Sequence, residues 1–142
     1  MTAGDISALL PHRAPMLLLC ELEAFTDATA RATVRLTADN PFIDAHGCLD
    51  RVAFAEMMAQ CFAAGAGALA ASRDGRPVSL GYLAALRDLR LLDDAHLGDE
   101  LVVDTRLERQ LGDIVLVRGE VHKGRRLLAE GRLKIYTPGE QS

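Results

Sequence analysis

The sequence predicts an α+β fold: a curved antiparallel sheet of about six strands wrapped round one long central helix. Three observations point to it. One run, Val52 to Ala71, apolar except at Glu56 and Gln60, is of helical length. Six other segments alternate apolar and polar residues with period two, the spacing of half-buried strands. The connections at 110–113 and 123–125 are too short for the crossovers that parallel strands need, so neighbours run antiparallel.

The elements follow in chain order. Asp5 to Leu10 reads as a short helix. Met16 to Phe25 is a first strand and Ala30 to Thr37 a second, with Asp27 in the turn between them. In the second, Ala32, Val34 and Leu36 face one way and Arg31, Thr33 and Arg35 the other. The central helix comes next, and Asp50 is placed to cap its first amides. SRDGRP, at 72–77, ends it with Gly75 and Pro77, and Val78 to Leu92 reads as a long strand or a strand with a bend. Leu101 to Arg109 sets Leu101, Val103, Thr105 and Leu107 against Val102, Asp104, Arg106 and Glu108. Ile114 to His122 follows Gly112 and Asp113. The last strand sets Leu127, Ala129, Gly131, Leu133 and Ile135 against Leu128, Glu130, Arg132, Lys134 and Tyr136.

The apolar run has the length of a membrane span, with Glu56 and Gln60 its polar residues. Its alanines and glycines carry little insertion energy, and the strands around it can cover it, so no membrane is expected. One sheet buries a helix on one side only. The remaining apolar face calls for a further layer, which a homodimer supplies. At 142 residues the chain is expected to be a single domain, 1–142. Its net charge of −4 argues against nucleic acid. Cys20, Cys48 and Cys61 cannot all pair within one chain and no leader-like stretch precedes Asp5, so a reducing cytoplasm is expected. CxxC and HExxH spacings do not occur, and no metal is called for.

Four stretches carry a family resemblance: ISALLPHRAPMLLLCELEAF at the start, AEMMAQ in the helix, GYLAALRDLRLLDDAHLGDELVV after it and LLAEGRLKIY at the end. In this order, over nearly the whole chain, the sequence resembles the 3-hydroxyacyl-[acyl-carrier-protein] dehydratases of the FabZ and FabA class. The resemblance implies a hotdog fold, pairing as a dimer, a carrier-protein or coenzyme A thioester as substrate, and no cofactor. That family carries a catalytic histidine in a Gly-His-Phe-Pro-Gly stretch and an acidic residue one turn into the helix. Here the region reads NPFIDAHGCLDRVAFAEMMAQ, which keeps Ala-His-Gly and the glutamate, lacks a proline after Pro41, and sets His46 ten positions before Glu56. The shorter loop is closer to the dehydratase-like subfamily of aryl-polyene-type gene clusters.

The chemistry explains these residue types. Dehydrating a 3-hydroxyacyl thioester needs a base for the α-proton, an acid for the departing hydroxyl, and donors for charge growing on the thioester oxygen. His46 suits the first task because imidazole titrates near neutrality. Glu56 suits the second, since a carboxyl in apolar surroundings retains a proton. The helix amides near Val52 to Phe54 are candidates for the third. Gln60, one turn beyond Glu56, either orients it or fills the dimer core. Gly47 and His12 complete the accessory candidates, His12 more as a fastener of the N-terminal helix. Arg13 or Gln60 is the structural partner Glu56 would have without a catalytic role. His96 and His122 read as solvated turn residues, and Cys48 as a poor nucleophile beside His46. Arg73 and Arg76, or Lys123, Arg125 and Arg126, offer basic character to an acidic carrier protein.

Two other functions share the fold: thioester hydrolysis, with Glu56 activating water, and a non-catalytic acyl-binding subunit that completes a heterodimeric dehydratase. A higher oligomer is also open.

Overall fold

The computed structural model describes residues 17–73 and 82–137. The expected helix at Asp5 to Leu10, together with His12, Arg13 and Arg76, lies outside them. Six strands and one helix follow in order: β1 (Glu21–Phe25), β2 (Thr29–Arg35), α1 (Val52–Arg73), β3 (Tyr82–Leu91), β4 (Glu100–Leu111), β5 (Ile114–Lys123) and β6 (Arg126–Tyr136). The strands form one antiparallel sheet in the order β1-β2-β4-β5-β6-β3.

Alternation decides the faces as expected. Ala30, Ala32, Val34 and Leu36 are buried beside exposed Arg31 and Arg35. On the outer side Arg31 and Arg35 reach across to Asp104 and Glu100, their register partners on β4. The inner side meets α1, which packs mainly on β2, β4 and β1 and only lightly on β6. By length and composition alone α1 could cross a membrane, yet most of it is buried inside the fold. Leu22, Phe54, Met57, Met58, Leu101 and Leu133 are among its largest fully enclosed side chains.

Two irregularities change the expected pattern. The register of β5 on β6 slips between Val121 and His122, so Leu128 rather than Leu127 fills the interior beside Ala129. A bulge turns side chains to the opposite face locally, which strict alternation does not foresee. Of the two forms open for the third strand, a long strand or one with a bend, the structure has the bent one. The β3–β6 register shifts twice, and Asp88 takes a φ of 51° between Arg87 and Arg90. His122 lies half-buried within β5 beside Glu120 rather than in a turn.

Gly65 sits where α1 presses closest on β2. A Cβ there would come within 2.6 Å of the Ala30 Cβ, an atom fixed to a strand backbone. Gly65→Ala should therefore destabilise the chain by about 1–3 kcal/mol despite the helix-propensity gain of about 1 kcal/mol that alanine brings. Adding Ala30→Gly should restore part of the loss. Urea unfolding of both variants checks this, and a Gly65→Ala protein as stable as the parent would contradict the close approach.

Candidate active site

The start of α1 is fixed by its own residues. Asp50 Oδ1 accepts the Val52 N–H at 3.0 Å and the Asp50 carbonyl accepts the Ala53 N–H at 3.0 Å. The Phe54 N–H donates to the Arg51 carbonyl at 3.1 Å. Asp50 is thus the cap the sequence suggested, with a chemical consequence. The amides of Val52 to Phe54 are already engaged, so they are poorly placed to hold a thioester oxygen. Arg51 ties this helix end to the segment after β3, donating to Asp94 Oδ1 at 2.7 Å and to the Leu91 carbonyl at 3.1 Å.

Along α1, Val52, Glu56, Ala59, Ala63, Ala66 and Ala70 recur at helical spacing and remain partly or fully exposed, while Ala53, Phe54, Met57, Cys61 and Ala64 are buried. This is the uncovered helix face that one sheet leaves behind. Glu56 lies half-buried on it, and Gln60 is enclosed behind it at 1% exposure. Gln60 Nε2 donates to Glu56 Oε1 at 3.0 Å, while Gln60 Oε1 accepts the backbone N–H of Leu18 at 2.9 Å. The structure therefore brings Gln60 and Glu56 together. Leu18 was missed because a main-chain amide leaves no mark in a sequence.

His46 sits in a loop shaped by Asp44. Asp44 Oδ1 accepts the N–H groups of His46 and Cys48, each at 2.9 Å, and Gly47 turns the chain at a φ of 81°. Only glycine takes that conformation without strain. The Gly47 carbonyl accepts the Leu97 N–H at 2.7 Å, anchoring the loop to the connection before β4. The His46 ring is exposed and, among the described residues of one chain, takes part in no hydrogen bond with Glu56. Cys48 is no ready nucleophile: partial burial, then Asp94 and Asp44, pushes its thiol up. Cys61 is more strongly affected, its buried thiol pushed up to about 12.

The Cys48 amide first, then that of His46, holds the Asp44 carboxyl below its ordinary value of 3.8. A lowered carboxyl stabilises the folded loop fully above that value and loses the contribution as pH falls through the lower, folded-state value. The His46 and Cys48 amide resonances should therefore share a transition centred below pH 3.8, and Asp44→Asn should abolish it. A shared acid transition that survives Asp44→Asn would contradict the arrangement.

Among the described residues, two grooves lie elsewhere. One of about 700 Å³ is lined by Leu17 to Glu21, Arg35 and Glu100, and one of about 110 Å³ by Phe62, Gly65 and Leu107. Neither touches Glu56 or His46. The basic residues of the last hairpin are largely neutralised: Lys123 pairs with Asp99 at 2.9 Å and Arg126 with Asp93 at 2.7 Å.

The sequence profile of the ApeP-like family, described as ApeP dehydratase, matches residues 4–142. The chain belongs to the ApeP-like dehydratase family. This ApeP-like chain is 27% identical over 133 residues to the 3-hydroxyacyl-[acyl-carrier-protein] dehydratase FabZ of Streptococcus equi subsp. zooepidemicus, covering 94% of this chain and 95% of that one. Its fold is similar to a chain of the dehydratase heterocomplex ApeI:P from Xenorhabdus doucetiae, with a TM-score of 0.86 and 28% identity over 95% of this chain and 91% of that chain. A hypothetical thioesterase with coenzyme A from Streptococcus pneumoniae shares the fold alone, at a TM-score of 0.67 and 14% identity over 86% of this chain and 88% of that chain. The ApeP-like fold is thus the hotdog fold that the family resemblance implied.

Proposed function

We propose that this dehydratase converts a 3-hydroxyacyl thioester, carried on an acyl carrier protein, to the 2-enoyl thioester, with Glu56 as general acid and His46 as general base. The observation that carries this is Glu56 itself. It is a carboxyl on an otherwise apolar helix face, held by a buried amide and left facing the side the sheet does not cover. His46 takes the proton from C2, the electron pair forms the C2–C3 double bond, and the C3 hydroxyl leaves as water with the proton supplied by Glu56. Gln60 and Gly47 are accessories that hold the acid and shape the histidine loop. No cofactor enters the reaction, and the cytoplasm is its setting.

The missing layer is a second chain, most simply another copy. β3 is an edge strand with Leu83, Leu86 and Leu91 exposed, and pairing two such edges extends the sheet and covers the open face of α1. Across that junction His46 of one chain can approach Glu56 of the other. A mixed dimer with a related hotdog chain is the second reading, favoured by the heterocomplex in which the similar Xenorhabdus chain is found.

Purified chain is offered 3-hydroxyacyl carrier protein, alone and mixed with a second dehydratase subunit. Enoyl absorbance from the chain alone supports the first reading, and absorbance on mixing only supports the second. Thiol release without enoyl product would turn the assignment to thioester hydrolysis. Leu86→Asp, which leaves the core untouched, should yield monomers by light scattering and lose turnover. A Leu86→Asp protein that stays dimeric would move the junction away from β3.

A further inference from the structure

The backbone amide of Leu18 lies far from Glu56 in sequence, yet the two are joined through a single side chain. Gln60 is the link, and its orientation follows from chemistry rather than from the resemblance of its two terminal atoms. A main-chain N–H only donates. The atom of Gln60 that meets Leu18 N at 2.9 Å must therefore be the amide oxygen. With the oxygen committed there, the atom 3.0 Å from Glu56 must be the NH₂ group, which only donates. Reversing the amide would set donor against donor at Leu18, in a place where both Leu18 and Gln60 are buried and water cannot compensate.

We propose that the Leu18 N–H is a positioning group for the proposed acid: by fixing Gln60 with its oxygen towards the N-terminal run-in, it leaves Gln60 only able to donate to Glu56. This rests on the reading of Glu56 as the acid. Glu56 Oε1 is then an acceptor towards Gln60 whether or not the carboxyl is protonated. Geometry at the carboxyl is thus set by the stretch Leu17 to Cys20, which leads into β1 and borders α1. A carboxyl swung by about 1 Å from its working position would lose roughly a hundredfold in rate, with substrate binding much less affected.

The test removes the hydrogen-bond donor at Leu18 while leaving every side chain in place. Cys20 permits ligation of a synthetic 1–19 segment to the remainder, so the Leu17–Leu18 amide can be replaced by an ester in the complete chain. The parent, the ester protein, Gln60→Met, the two changes combined, and Glu56→Gln are assayed for dehydration in whichever pairing the parent is active. The ester and Gln60→Met should each lower kcat by roughly tenfold to a hundredfold. KM should stay within about twofold, and the combined protein should be no slower than the worse single change, because both break one chain of contacts. A purely structural bond would instead lower the melting temperature and leave kcat alone.

An unchanged kcat in the ester protein, with Glu56→Gln inactive, overturns the positioning role and leaves the acid in place. An active Glu56→Gln protein, or a parent inactive in every pairing, overturns the reading of Glu56 and this inference with it. Should the ester protein not fold, Gln60→Met carries the same kcat-against-KM comparison.

Discussion

Replacing Glu56 with glutamine is expected to lower dehydration by roughly 10²–10⁴-fold, the range that a positioned general acid contributes. Glutamine has the same length and still offers an oxygen to the Gln60 amide, so the contact at Oε1 survives while the transferable proton is lost. The fold should therefore hold, with a melting temperature near that of the parent. Steady-state enoyl formation and thermal melting, run on the same preparation, separate chemistry from stability. Activity within a fewfold of the parent would remove Glu56 from the mechanism, and the assignment of His46, which is proposed to work opposite it, would lose its counterpart.

Phe54→Ala is expected to have the largest effect on stability. Phe54 is fully enclosed between α1 and the sheet, and truncating a buried phenylalanine costs about 3–5 kcal/mol in lost transfer energy and cavity formation. Domains of this kind are stable by about 5–15 kcal/mol, so the variant should melt on the order of 10 °C lower. Val52 supplies the contrast. It lies two residues earlier on the open stripe, 56% exposed, and Val52→Ala should change the stability of the single chain by no more than about 0.5 kcal/mol. Chemical denaturation at several protein concentrations checks both. A large, concentration-dependent loss for Val52→Ala would show that another chain covers this stripe, and a negligible loss for Phe54→Ala would contradict the packing of α1.

Much of the fold was legible in the chain because it follows from short-range regularities. Alternation in β2 and β4 gives the buried faces directly, since successive side chains on a strand point to opposite sides. The run from Val52 is apolar on enough of its surface that it had to lie against a sheet. Asp50 was recognisable as a cap because its residue type and place before the helix suffice. Leu127 and Leu128 show where this fails. Both are leucines in an alternating strand, and a register slip at Val121 decides which one points inward. The site divides in the same way. Glu56 stood out because a carboxyl amid apolar residues is costly without a purpose. The Gln60–Glu56 pair was foreseeable from its spacing of one turn. The engagement of the Val52 to Phe54 amides was not foreseen, because the same capping that starts the helix uses up the donors the chemistry would have borrowed.

By itself, the sequence determined the six strands, their antiparallel pairing, the helix around which they gather and the carboxyl group on that helix, because each is written in periodicity or in an out-of-place residue type. Tertiary structure alone decided which helix stripe stays open, which leucine fills the interior of β6, and that a main-chain amide near residue 18 faces Gln60. Those outcomes depend on where segments distant in sequence come to rest, and backbone groups, identical at nearly every position, carry no signal until folding brings them to a partner.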